Sequence, residues 1–214
     1  MSTPLPLVLA GAAGKMGREI AALARADAAF ELAAALEAPG ATVLGAPLVD
    51  GEHVAGPPTV TSLAEWDPAG APAGAVVIDF SSPAGLRALV GKLLATRPLP
   101  LLSGTTGLGA EEERLLGELS ARAAVLHSPN MSLGVAATRA AAALLARALG
   151  PAFDVEIAEI HHVAKKDAPS GTALALARSV LEARGEPVEP VLDRTTTGRP
   201  RERGGVGVAA LRGG

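Results

Sequence analysis

"LPLVLAGAAGKMGREIAALARA", residues 5 to 26, is the stretch on which the reading of this chain turns. Residues 5–10 form a short apolar run of strand character, and residues 15–26 carry apolar side chains at helical spacing. Between them stand Gly11, Gly14 and Gly17, a G-x-x-G-x-x-G pattern. A strand passing through such glycines into a helix makes a tight turn and lets backbone approach a pyrophosphate closely. It also aims free N–H groups from the positive end of a helix dipole. Three glycines alone would serve close helix–strand packing equally well. The next strand, "FELAAALE" (30–37), adds something packing does not require. It ends on Glu37, twenty residues after Gly17, where a carboxylate can accept hydrogen bonds from ribose hydroxyls. Strand, glycines, helix, strand and terminal acid together predict a dinucleotide-binding unit.

Further along, "AVVIDF" (75–80) reads as a strand, and Ser82-Pro83 as an N-cap with proline at the first helical position, opening a helix over 83–95. "PLPLLSG" (98–104), a helix over 110–123 and "AVLHS" (124–128) repeat the alternation, which predicts an open parallel sheet with right-handed crossovers. "SGTTGLG" (103–109) is a second glycine loop at a strand C-terminus, where such sheets keep their ligand crevice; in isolation it is a turn. The pattern changes after Pro129. A long apolar helix covers 132–149, followed by strand "FDVEIAEI" (153–160), a loop holding the histidines, and a helix over 171–184. From Gly185 the chain is rich in Gly, Pro and Arg and ends at "AALRGG" with no terminating helix. The fold class predicted is α/β: a Rossmann-type parallel-sheet domain over 1–128 and a smaller α/β (α+β) domain over 129–214.

Composition narrows the classes. At 214 residues with 49% hydrophobic and 19% charged side chains the chain is globular, not disordered. A formal net charge of −3 lacks the basic balance of a nucleic-acid binder. With no cysteine, disulfides, thiolate zinc sites and a cysteine nucleophile are excluded. The N-terminus has no basic region ahead of its apolar run, so no signal peptide is expected. Arginines and acids interrupt the alanine-rich helices before about 20 residues, so no membrane span is expected. The expected location is cytoplasmic.

The second informative stretch is "EIHHVAKKDAPSGTALALA", residues 159–177. Two of the four histidines, His161 and His162, leave a strand end side by side, and alternation in an extended segment gives the two different jobs. Histidine titrates near neutrality and can donate a proton, while Lys165 adds positive charge. Ser170, Gly171 and Thr172 offer hydroxyls and backbone N–H groups at a helix N-terminus, an anion site stiffened by Pro169. Taken singly, Ser170 is an N-cap, His161 a core histidine, and Lys165-Lys166 a solvated face. Together they describe a receptor for a small dicarboxylate with a proton donor beside it. A metal site on His161, His162 and Asp167 is disfavoured, because adjacent histidines do not share a face and no acidic cluster accompanies them. Arg199, Arg201 and Arg203 read as a solvated basic loop, within reach of the substrate domain of this or a neighbouring subunit.

"GAAGKMG", "GTTG", "SPNMSLGV" and above all "HHVAKKDAPSGTA" resemble the 4-hydroxy-tetrahydrodipicolinate reductase (dihydrodipicolinate reductase) family of bacterial lysine and diaminopimelate biosynthesis, in order and spacing from residue 5 to 214. The resemblance implies a Rossmann-type cofactor domain and a substrate domain whose open sheet builds a homotetramer. It implies hydride transfer from NADH or NADPH to the ring of a cyclic dicarboxylate imine. On this chain His161 takes the proton-donor position and Lys165 that of its catalytic partner, while His162, Gly171 and Thr172 take substrate-binding positions with Ser170 beside them. Gly11, Ala12, Ala13, Gly14, Lys15, Met16, Glu37, Gly104, Thr105, Thr106, Ser128, Pro129, Asn130 and Met131 match cofactor contacts.

The chain departs from that pattern in two places. Ala38, not a basic residue, follows Glu37, and Lys15 is the only obvious local cation for a 2′-phosphate, so the reading leans to NADH. The chain also stops at Gly213-Gly214, where the family pattern continues into further strands and a helix, which reads as a truncated C-terminus: a fragment or a shortened relative. Two other readings compete, another small NAD(P)-linked dehydrogenase and a catalytically silent nucleotide-binding module.

Overall fold

A computed structural model describes residues 3–50, 53–163, 165, 168–186, 190–192 and 204–213, with backbone alone at 49, 50 and 53–57. Lys166, Asp167, Arg199, Arg201 and Arg203 lie outside the described residues. The chain forms two compact units, Met1–Pro129 and Asn130–Gly214.

The first unit is a seven-stranded sheet in the order β3-β4-β2-β1-β5-β6-β7. Its strands are β1 (Leu5–Ala10), β2 (Phe30–Glu37), β3 (Pro47–Asp50), β4 (His53–Ser62), β5 (Val76–Asp79), β6 (Leu101–Ser103) and β7 (Val125–His127). Strand β1 pairs in parallel with β2 on one side and β5 on the other. The order of connection therefore reverses at β1, and ligands of open α/β sheets gather at such a switch point. The sheet differs from the prediction at one edge, where β3 runs antiparallel to β4. Successive residues of β1 feed opposite faces. Val8 and Ala10 join a core with Leu86, Leu89 and Leu93 of helix α2 (Pro83–Ala95) and with Leu116 and Leu119 of α3 (Ala110–Ser120). Leu9 packs on the other face with Ala21 of α1 (Lys15–Ala26). Ser82 caps α2 as its sequence indicates, its Oγ accepting from the Gly85 N–H at 3.2 Å.

The second unit is a β-α-β arrangement with one preceding helix. Helix α4 (Leu133–Leu149) is followed by β8 (Val155–His162), α5 (Gly171–Arg184) and β9 (Val206–Gly213), and β8 pairs in parallel with β9. Inward residues Val155, Ile157, Val206 and Val208 pack with Ala173, Ala177 and Val180 of α5. The histidines do not lie in a loop: β8 runs through them, because β9 supplies partners for His161 and His162 at Arg212 and Gly213. The expectation that charges interrupt every alanine-rich helix before about 20 residues is corrected. Leu133–Ala152 is long and apolar enough to cross a membrane by length and composition, since Arg139 and Arg147 are its only charges. Neither property makes it a span, and Arg139 Nε donates to Ser179 Oγ of α5 at 3.0 Å.

Candidate active site

At the end of β1, the glycine loop closes on itself and on β2. Gly11 adopts φ +75°, and a Cβ there would stand 2.4 Å from the Phe80 carbonyl oxygen. A Cβ on Gly17 would stand 2.1 Å from the Gly11 oxygen, so both positions are reserved for glycine by backbone contact. Packing and ligand approach are thus compatible uses of one motif, divided among its members. Gly14 is the roomier one, with its nearest neighbour at 3.2 Å, and it borders a cavity of about 610 Å³ at the switch point. Gly11, Ala13, Glu37, Ser81 and Ser82 line that cavity too. Its volume falls in the range of sites for small-molecule ligands and cofactors.

Glu37 is already engaged in the loop. Its Oε1 accepts the Ala13 N–H at 2.7 Å, and its Oε2 accepts from Ala38 N–H at 3.4 Å. A carboxylate has about four acceptor sites, so capacity remains for ribose hydroxyls. Gly14, with no Cβ to bar backbone approach, and this carboxylate on the same cavity wall fit a dinucleotide.

The remaining positions expected at the cofactor are dispersed. Ala12 is fully buried, while Lys15 and Met16 are exposed on the first turn of α1. Thr105 is 3% exposed, and its hydroxyl donates to Asp79 Oδ2 at 2.7 Å; Thr106 is exposed. Gly104 permits the Phe80 ring to lie against it, since a Cβ would meet Cε1 at 2.1 Å. Ser128 and Pro129 close the first unit, and Asn130 and Met131 open the second.

Sequence reading missed Asp79, which ends β5 with no solvent exposure. It accepts Ser81 Oγ–H at 2.5 Å, Ser103 Oγ–H at 2.8 Å and the Thr105 hydroxyl. A buried carboxylate requires such donors. Here they tie the glycine-rich loop after β6 to the cavity wall at Ser81. An acid closing the apolar run "VVI" was the available signal.

In the second unit, the end of β8 gathers the charged groups. Glu159 and His161 share the inward face, and His162 is exposed on the other, as strand alternation requires. Ser170 Oγ accepts the Ala173 N–H at 3.1 Å and so caps α5. The Ser170 backbone N–H donates to Glu159 Oε1 at 2.6 Å, and its hydroxyl donates to Oε2. His161 Nε2 stands 2.9 Å from the same Oε2, at ion-pair distance though without the alignment of a hydrogen bond. Burial pushes the Glu159 carboxyl up, but the two Ser170 hydrogen bonds and His161 outweigh it and hold it below the ordinary 4.5. Glu159 therefore stays ionised.

Two basic residues belong to the same strand end. Arg212 is the β9 partner of His161 and its Nε donates to the Lys165 carbonyl at 2.9 Å, while the Lys165 N–H donates to the His162 carbonyl at 3.2 Å. Asn130 Nδ2 donates to Thr172 Oγ1 at 3.0 Å, joining an expected cofactor position to an expected substrate position. The structure brings His161, Lys165, Ser170 and Thr172 to one end of the unit, and sets His162 on its outer rim. Glu159 and Arg212 were missed. The i, i+2 spacing of Glu159 and His161 could have revealed the first, but Arg212 emerges only from the β8–β9 register. Among the described residues, no group of three His, Asp or Glu side chains could hold a metal ion.

A doubly wound unit with a cavity at its switch point, in one chain with a unit carrying a histidine and two cations at a strand end, is the build of a nicotinamide-dependent oxidoreductase. Residues 5–131 match the family model described as dihydrodipicolinate reductase, N-terminus, and residues 134–214 match its C-terminus. The chain belongs to the dihydrodipicolinate reductase family, and a pyridine nucleotide is its cofactor. The 4-hydroxy-tetrahydrodipicolinate reductase of Afipia carboxidovorans is 42% identical over 213 residues, covering 97% of this chain and 76% of that protein. The enzyme of the same name from Rubrobacter xylanophilus is 38% identical over 209 residues, with the same coverage. The dipicolinate-bound dihydrodipicolinate reductase from Paenisporosarcina sp. TG-14 superposes with a TM-score of 0.61 at 24% identity, covering 98% of this chain and 78% of that one, a likeness of fold.

Proposed function

We propose that the chain reduces 4-hydroxy-tetrahydrodipicolinate to tetrahydrodipicolinate, with NADH preferred over NADPH. The observation that carries this reading is the convergence of His161, Lys165, Arg212 and the N-terminus of α5 at the end of β8. A cyclic dicarboxylate demands cations and hydrogen-bond donors for its carboxylates. Lys165, Arg212 and the first N–H groups of α5, with Thr172, supply them, and Gly171 leaves its backbone uncovered. Ser170, committed to Glu159, holds the helix start in place. His162 reaches a ligand only from the rim.

The net reaction takes up one hydride and one proton and releases water. Bound nicotinamide supplies the hydride. His161 provides the proton and Lys165 steadies the charge beside it. Glu37 and the loop from Gly11 to Met16 are the groups proposed to hold the dinucleotide; Gly104 to Thr106 and Ser128 to Met131 are further cofactor positions that the family resemblance implies. The lean to NADH rests on Glu37 lining the cavity with Ala38 after it: a carboxylate favours ribose hydroxyls and repels a 2′-phosphate.

Outward residues Ile160 and Leu211, paired across β8 and β9, are 73% and 57% exposed. An apolar sheet face of this kind suits contact between subunits, so a homo-oligomer is part of the proposal. The test is NADH and NADPH oxidation with the cyclic imine generated in situ from pyruvate and aspartate semialdehyde by its synthase. The expected result is substrate-dependent oxidation, faster with NADH. Cofactor binding without turnover would support a silent nucleotide-binding module, and turnover that ignores the imine another dehydrogenase.

A further inference from the structure

We propose that Glu159 is a positioning residue that fixes the His161 imidazole and the start of α5 as one unit. The proposal rests on the reading of His161 as the proton donor. Three contacts carry it. Glu159 is reached by the backbone N–H of Ser170 on Oε1, while the Ser170 hydroxyl and His161 Nε2 share Oε2. The carboxylate thus spans the two elements that the substrate reading needs together, β8 and α5, although the two segments are eleven residues apart in sequence.

The chemistry of the arrangement is specific. Nε2 is buried and faces Glu159, so Nδ1 is the nitrogen left to serve a ligand. An ionised carboxylate at ion-pair distance favours the imidazolium over the neutral ring, the state needed to give a proton away. Arg212 of β9 lies in register beside His161, and Lys165 follows β8. His162 lies on the opposite face. An orienting carboxylate behind a working histidine is a common second partner in sites of this kind.

The test is an NMR titration of the His161 imidazole in the full chain, with Glu159→Gln against the parent. Glutamine keeps the size and the acceptor and removes the charge. Removing the charge is expected to lower the midpoint, and an unmoved midpoint would overturn the proposal. Kinetics give a second arm. Glu159→Gln should lower kcat about 10–100-fold, with the alkaline limb of the pH–rate profile moving to lower pH and NADH affinity within twofold. In a His161→Ala background the same change should cost less than about threefold, because both act through one imidazole. A full additive loss there would overturn the proposal. Should the glutamine variant fail to fold, Glu159→Asp keeps the charge but retracts it by one methylene, and it should still lower both midpoint and kcat. Wild-type turnover in His161→Ala itself would instead break the proton-donor reading, whatever Glu159 does to the titration.

Discussion

At the end of β1 the ligand-binding surface is made of backbone, and at the end of β8 it is made of side chains. The first is shaped by what is missing: Gly11 and Gly17 are glycines because a Cβ would strike carbonyl oxygens, and Gly14 leaves the cavity wall open. The second is shaped by what is present, a carboxylate joined to a histidine and a helix cap, with two basic residues at the same strand end. Geometry alone suffices to hold a cofactor whose chemistry is its own, whereas a proton donor needs its charge environment set by neighbours. The two ends should therefore fail in different ways.

The largest effect is expected from Gly17→Ala. Its Cβ would stand 2.1 Å from the Gly11 oxygen and 2.6 Å from the Ala12 oxygen, both backbone, so the loop must move. A loss of about 3 kcal/mol in stability, with no measurable NADH binding, would show in thermal unfolding and calorimetry. Gly171→Ala is its counterpart in the second unit. Beyond its own neighbours and helix turn, no atom of the described residues lies within 4 Å of the added Cβ, so stability should change by less than about 1 kcal/mol while the Michaelis constant for the imine rises. If both glycines behaved alike, the contrast between the two ends would be lost.

Glu37→Ala comes next. Removing a carboxylate that accepts the Ala13 N–H should weaken NADH about tenfold and NADPH less, shrinking the preference between them in fluorescence titrations. An equal loss for both would detach Glu37 from the choice of cofactor.

Acid should act on the second unit through Glu159. Its carboxyl is held below 4.5 in the folded chain, so its contribution is fully present above 4.5 and is lost as pH falls through the folded value. Acid unfolding followed by circular dichroism should therefore show a destabilisation below pH 4.5 that Glu159→Gln flattens. The smallest effect is Ser82→Ala, which removes the cap of α2 and should cost about 1 kcal/mol with cofactor affinity little changed.

The elements legible in the sequence were those whose signals are local. β1, α1 and β2 were bounded by their own glycines and polar residues, and α2 by Ser82-Pro83. What escaped was decided at a distance. "PLVD" and "HVAGPPTVTS", assigned no element from sequence, form β3 and β4 by pairing with each other and, through β4, with β2. The tail "VGVAALRG", assigned no element from sequence, becomes β9 by pairing with β8. The candidate site divides the same way. His161, Lys165 and Ser170 could be read from one segment, whereas Arg212 enters through register, and Asp79 through hydroxyls that two later residues bring to it. Glu159 lay in plain sight two residues before His161, and its partner on α5 was the part that sequence spacing does not show.

The account stands most directly on His161, and the measurement that tests it is kcat for His161→Ala with the cyclic imine, alongside the Kd for NADH. The predicted result is a loss on the order of 10²–10⁴-fold in kcat with NADH affinity nearly unchanged. Unchanged turnover, or turnover and cofactor binding falling together, would contradict the role assigned to the end of β8.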